Sequence, residues 1–429
     1  MTSTRWVRPS AALARILPLL LSLLTTTALA RETRIGPTGK PADYERVRKA
    51  LSGLAPGDTL TLMRGLFDWS QNLSDSSLVA RQPGGMPLPV SGIVVRGVRT
   101  QQGGLETILR GATDPAGRPV RPSRGTNAAF RNAPGGNRVT VEDLVLENFE
   151  NAIILIQADT LLSITPVNAV KEGTRGWTIQ RLTIRGGPFG VMANGRHEDL
   201  TIRDCEITLS LPPHQQRRGG PREGSFAIAV RPYPPVYSGL PSNVTIERNR
   251  AVGPDRKGET EIFGGLILTS RYGRLIGNEA RGWGIGLVVE GDSLTVIGNS
   301  VDDCRIGIVG WSTERLGTGT SHATIAGNTV SGTTRQSSGF LSDFTGTAIF
   351  LAGIQNSRLL GNRFQRNAGP DIVFGALRGT KASTGNVLSG NGGTVVISEA
   401  SLRLNEVNGS EVRVLGNRPN PPIVPDSVG

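Results

Sequence analysis

Apolar and polar positions alternate along most of this chain over runs of only three to six residues, and Gly, Asn and Asp interrupt the runs at short, recurring intervals. A period of two marks strands with one buried face, and such brief runs between turn residues predict many short strands. Two phrases recur. The first, of the type Thr-Ile-x-Gly-Asn, occupies Thr201–Cys205, Thr245–Asn249, Leu275–Asn278, Thr295–Asn299, Thr324–Asn328, Leu359–Asn362 and Thr384–Asn386. Thr140–Leu144 and Thr178–Leu182 fit it with Leu in the last slot. The second phrase is a Gly or Ala leading into a strand, as in Phe189-Gly190-Val191, Phe226-Ala227-Ile228, Ile285-Gly286-Leu287, Ile306-Gly307-Ile308 and Ala348-Ile349-Phe350.

The shortest intervals between the Asn slots define a bare coil of 21 to 24 residues, and the longer ones are that coil plus insertions. Three short strands per coil, stacked coil on coil, predict an all-β fold of three parallel sheets around a filled bore, a single-stranded parallel β-helix. Asn suits a tight turn because it tolerates left-handed backbone, and stacked Asn side chains can bond along a column. Asn249, Asn278, Asn299, Asn328 and Asn362 are therefore expected to form one column at a turn between two sheets. A leucine-rich solenoid would need a stricter Leu pattern and helical segments.

The Thr-Ile-x-Gly-Asn phrase alternating with Gly-Ile strands resembles the right-handed β-helix repeats of the pectin-lyase-like superfamily. Residues 42–69 resemble its N-terminal entry: a short amphipathic helix at 42–54, then Pro56-Gly57-Asp58-Thr59-Leu60 and Gly65-Leu66-Phe67. The resemblance implies that this helix caps one end of the bore, covering an otherwise unpaired edge. Ile93–Gly97 and Thr107–Gly111 fit the first coils. The resemblance spans roughly residues 40–415, leaves a Pro-rich tail at 416–429, and speaks to fold more than to function.

Let the Gly-Ile strand be the first of each coil, the strand before the Asn slot the second, and the strand after it the third. Insertions then gather at the two ends of the first strand: 210–224, 253–263 and 332–345 before it, 158–176, 232–243 and 312–322 after it. Loops on both flanks would wall a groove floored by the outer face of the first sheet, the face that the resemblance implies for polysaccharide-acting members. With Ile285, Leu287 and Val289 inward, alternation places Gly286, Val288 and Glu290 outward. The last outward slot, carried from coil to coil, reads Asn194, Arg231, Thr269, Glu290, Trp311 and Ala352. Such a column either binds successive groups of an extended glycan, with Trp311 stacking on a sugar ring, or is ordinary sheet surface.

Three chemistries ask for different residues. A β-eliminating lyase needs a cation or donor on the sugar carboxylate and a base for the adjacent proton. Arg231 beside Asn194 supplies the first, and Tyr233, Tyr237, Lys257 or Arg271 the second. A glycoside hydrolase needs two carboxylates about 5 to 9.5 Å apart, and Glu290 and Asp292, two residues apart on a strand, would lie about 6.5 Å apart. A non-catalytic envelope scaffold needs neither. The chain lacks the Gly-His-Gly and Asn-Thr-Asp motifs of polygalacturonase-like hydrolases and the Asp-Pro-His-Glu motif of alginate epimerases. His197, His214 and His322 lack zinc-ligand spacing, so no metal or cofactor is expected.

Charge and the termini narrow the setting. Arg5, Arg8 and Arg15, the apolar run Ile16–Leu24 and Ala28-Leu29-Ala30 predict a signal peptide cleaved after Ala30, leaving a secreted or periplasmic protein with no transmembrane span. The formal charge is +12. A basic exported protein attracts acidic polysaccharide, whereas nucleic acid is not an expected partner, since no recognition motif appears. Cys205 and Cys304, the only cysteines, fall about three coils apart, roughly 14 Å at the inter-strand spacing, and are expected to be buried apolar side chains and not a bridge.

Overall fold

The computed structural model describes residues 30–69, 85–113, 128–156, 173–210, 225–232, 240–254, 264–311, 320–335, 341–375, 383–398 and 402–415. The predicted leader and the C-terminal tail lie outside them.

Three sheets, every pairing parallel, run the length of the chain. The second holds thirteen strands from Glu32–Ile35 to Glu406–Asn408, the first twelve from Met86–Leu88 to Glu411–Leu415, and the third ten from Gly65–Asp68 to Arg363–Gln365. Each central coil contributes one strand to each sheet, and successive coils pair residue for residue, as in Thr178, Thr201, Thr245 and Arg274 of the second sheet. The architecture is the right-handed parallel β-helix. One side chain in two points inward. Leu200, Ile202, Val244, Ile246, Leu275, Val296, Ile325 and Leu359 fill the bore without solvent exposure, together with Leu287, Ile308 and Leu351 from the first sheet.

Helix α1 (Asp43–Ser52) lays Val47 and Leu51 on that core and so closes the N-terminal end. Its entry is fixed by Asp43, whose buried carboxylate accepts from the Thr38 amide and hydroxyl, the Gly39 amide and the Arg46 guanidinium. The strand Glu32–Ile35, which precedes the helix and starts the second sheet, was not expected from the repeat.

The Asn column forms at the turn between the second and third sheets. Asn249, Asn278, Asn299, Asn328 and Asn362 each donate from Nδ2 to the Oδ1 of the next Asn, at 2.8–3.0 Å, ending on Asn391. Each Nδ2 also reaches a strand carbonyl of the preceding coil, and each Oδ1 from Asn278 to Asn391 accepts the preceding Asn amide. Cys205 occupies the slot one coil earlier, its amide bonded to Asn249 Oδ1.

Two details correct the sequence reading. Asn386 is not in this column, because the second strand of its coil is Val387–Ser389 and the slot falls on Asn391. Asn386 instead bonds Asn405 and the Ser357 amide, in a shorter ladder where the chain enters the second strand. The left-handed residue is also not the Asn but the one before it: Gly277, Gly298, Gly327, Gly361 and Gly390 have φ between +58° and +65°. Glycine takes that backbone without a Cβ clash, which leaves Asn free to work as a side-chain bridge.

Cys205 and Cys304 are both buried and free, and burial pushes each thiol up to about 12. Among the described residues no helix is long and apolar enough to cross a membrane.

Candidate functional site

The outer face of the first sheet carries two parallel columns. One runs Met192, Ala229, Ile267, Val288, Val309, Phe350 and Val373, paired coil to coil. These residues join Phe226, Ile285, Ile306, Leu341 and Phe344 in a second apolar cluster, distinct from the bore. Phe189 and Phe226 stack at 4.8 Å between ring centroids. The first sheet is therefore apolar on both faces. The sequence signal was present: FAIAVR, GGLILT and IGLVVE are continuous apolar runs, as expected of strands buried on both sides. Strict alternation also failed at Ile285, which belongs to the outer cluster, while a Cβ at Gly286 would strike Val301 in the bore and the Gly307 carbonyl.

The second column is the one read from sequence. Asn194 pairs with Arg231, Thr269 with Glu290, and Trp311 with Ala352, and the intervening pairings continue the same register. Asn194, Thr269 and Glu290 are buried, whereas Arg231 and Trp311 are half-buried.

Arg231 is the unusual member. Its Nε donates to Asn194 Oδ1 at 3.2 Å, and its guanidinium lies 5.7 Å from the Phe226 ring centroid. It has no carboxylate partner among the described residues, and burial holds its pKa below the ordinary arginine value. A desolvated guanidinium without a counter-charge costs several kcal/mol, which an anion arriving from outside would offset.

The remaining candidates scatter. Asp292, at the end of the strand Ile285–Asp292, is engaged in the turn into the second sheet. Its Oδ1 accepts from Ser321 Oγ at 2.6 Å and meets His322 Nδ1 at 2.9 Å, and its Oδ2 accepts from Ser293 Oγ at 3.1 Å. These partners, Ser321 first, hold its carboxyl below the usual range. Asp292 is thus an ionised, donor-filled turn residue, whereas Glu290 is buried in the sheet column. Arg271 pairs along the strand with Asp292 and is exposed. Tyr233, Tyr237 and Lys257 lie outside the described residues.

The parallel β-helix is the class that fold and face define, and solved structures share it. A tailspike protein of the E. coli bacteriophage HK620, in complex with a pentasaccharide, superposes with a TM-score of 0.53 at 12% identity, covering 89% of this chain and 61% of that one. The Dettilon tailspike gives a TM-score of 0.51 at 13% identity over 88% of this chain and 68% of that one. A mannuronan C-5 epimerase A-module of Azotobacter vinelandii gives 0.48 at 14% identity over 87% and 90%. No protein-family model matches the sequence, and no curated protein does.

Proposed function

We propose that this is an exported protein that recognises an acidic polysaccharide along the outer face of its first sheet. The observation that carries the reading is Arg231: a half-buried guanidinium with no carboxylate partner among the described residues, fixed by Asn194 and Phe226, in one column with Thr269, Glu290 and Trp311. An extended glycan would lie along the helix axis, crossing strands spaced about 4.8 Å apart. A carboxylate would neutralise Arg231 while Trp311 stacks on a ring. The insertions at both ends of the first strand support that placement, and a tailspike of this fold solved with a pentasaccharide supports a glycan as the ligand.

Arg231 with Asn194 also has the composition that a lyase needs opposite a uronate carboxylate, where a cation stabilises the enolate-like charge formed on proton removal. A hydrolase reading has less support, because the Asp292 oxygens are taken up by the turn. The test is a glycan panel assayed for binding, for unsaturated products and for new reducing ends. Binding with unsaturated products makes the protein a lyase, binding alone makes it a recognition module, and no binding to any glycan overturns the proposal in favour of a scaffold. Export is checked by the intact mass of the secreted chain, expected to begin after Ala30.

A further inference from the structure

Arg231 is not the only desolvated arginine on the first sheet. The strand Ala128–Asn132 is buried throughout, yet its fourth residue is Arg131, only 9% exposed. Arg131 pairs along the sheet with Ile154, and Ile154 with Met192, which places it in the outward apolar column and not in the bore. Its hydrogen bonds go to two backbone carbonyls, Nε donating to Gly85 O at 3.2 Å and Nη1 to Asn132 O at 3.4 Å, and the Tyr44 phenol also bears on its charge. No carboxylate pairs with it among the described residues. Arg305, just ahead of the strand Ile306–Trp311, is also partly desolvated, but most other described arginines are paired or open to solvent. Arg181 pairs with Glu142 and Asp143, Arg185 with Glu147 and Arg248 with Asp204, while the unpaired Arg274, Arg358 and Arg363 face solvent.

A guanidinium removed from water without a counter-charge is destabilising, so a hydrophobic residue at either position would suit the fold better. Arg131 and Arg231 both lie on the outer face of the first sheet. Three coils separate them, through Ile154, Met192 and the strand Phe226–Arg231, which is about 14 Å along the axis. Met192, and then Ala229 and Phe226, form an apolar floor between them.

We propose that Arg131 and Arg231 are two anion subsites of one binding face, spaced to take a chain of uronate sugars whose carboxylates reach both, and not a single acidic sugar. This rests on reading the face as the glycan site, and it adds the direction, minimum length and charge spacing of the ligand. The interval between the subsites is apolar and would accept sugar ring faces with their carboxylates turned away.

The experiment measures dissociation constants for uronate oligomers (galacturonate, glucuronate and mannuronate series) from monomer to hexamer, with the wild-type protein and with Arg131→Gln, Arg131→Lys and Arg231→Gln. In the wild type, affinity should climb at least tenfold once the oligomer spans both arginines. Arg131→Gln should abolish that climb, and Arg131→Lys should restore part of it. Arg231→Gln should weaken every oligomer by tenfold or more. The thermal midpoint of Arg131→Gln should equal or exceed that of the wild type, because an unpaired buried charge has been removed. A climb that survives Arg131→Gln overturns the inference while leaving Arg231 and the glycan reading intact. So does a fall in midpoint together with uniform weakening at every length, which makes Arg131 structural. If the wild type binds no uronate of any length, the acidic-glycan reading fails and the two-subsite inference with it.

Discussion

The second and third sheets and the first sheet use polar side chains in opposite ways. On the second and third sheets, charges are laced across coils. Glu147 takes Arg110 from the coil below and Arg185 from the coil above, and Arg250 meets both Glu206 and Glu279. The turn between these sheets satisfies every buried Asn through its ladder. On the first sheet the outer face is largely apolar, two of its arginines, Arg131 and Arg231, are desolvated and without carboxylate partners among the described residues, and Asn151 Oδ1 is buried with no hydrogen-bond partner. Native folds rarely leave buried polar groups unsatisfied, and Trp69 Nε1, His197 Nε2, Ser225 Oγ and Ser383 Oγ share that state elsewhere among the described residues. In its ion pairing, the charged side of the solenoid is the more complete of the two.

The more complete side should show the largest loss on substitution. Asn299→Ala removes the acceptor of the Asn278 amide and the donor to Leu275 O, both buried. It should cost about 3 kcal/mol in urea unfolding. A loss below about 1 kcal/mol would mean that the ladder is not what holds this turn.

His197, where the chain leaves the first sheet, sharpens the comparison through pH. Burial pushes its imidazole down to about 4, against the carbonyls of Asn194 and Leu155. The unfolded chain binds this proton near pH 6.5 and the folded chain only near 4. The contribution is therefore fully present above pH 6.5 and is lost as pH falls from 6.5 to 4, by roughly 3 kcal/mol. His197→Gln should flatten that slope, and an unchanged slope would assign it to the carboxylates.

Next come the ligand-facing residues. Arg231→Ala and Trp311→Ala should each weaken glycan binding about tenfold, equivalent to about 1.4 kcal/mol. Neither should shift the thermal midpoint as Leu287→Ala does, since a bore Leu costs about 2–5 kcal/mol. The smallest effects belong to the charged sheets. Arg181→Ala, which breaks pairs to Glu142 and Asp143, should cost about 1 kcal/mol or less, shrink in high salt and leave glycan affinity alone. Arg358→Ala, exposed on the second sheet, should change neither quantity, and a loss of binding equal to that of Arg231→Ala would reduce the attraction to general positive charge.

The coil, its three strands, the Asn column and the outward column from Asn194 to Ala352 were legible in the sequence because each is written locally. Period-two alternation and a turn residue before the slot, glycine from Gly277 onward, recur from coil to coil, so a few coils fix the rest. What only the tertiary structure decided depends on which residues become neighbours across loops of unequal length. The slot passed from Asn386 to Asn391 because the second strand starts later in that coil. The Ile285 side chain turned outward because Gly286, lacking a Cβ, can take the crowded inward place beside Val301 and Cys304. Above all, the sequence shows arginines throughout but not which ones find a carboxylate. Arg181 meets Asp143 across 38 residues, whereas Arg131 and Arg231 find no carboxylate among the described residues and bond to carbonyl oxygens. Charge is a property of a residue, but its neutralisation is a property of the stacked coils, and that difference is what set the first sheet apart.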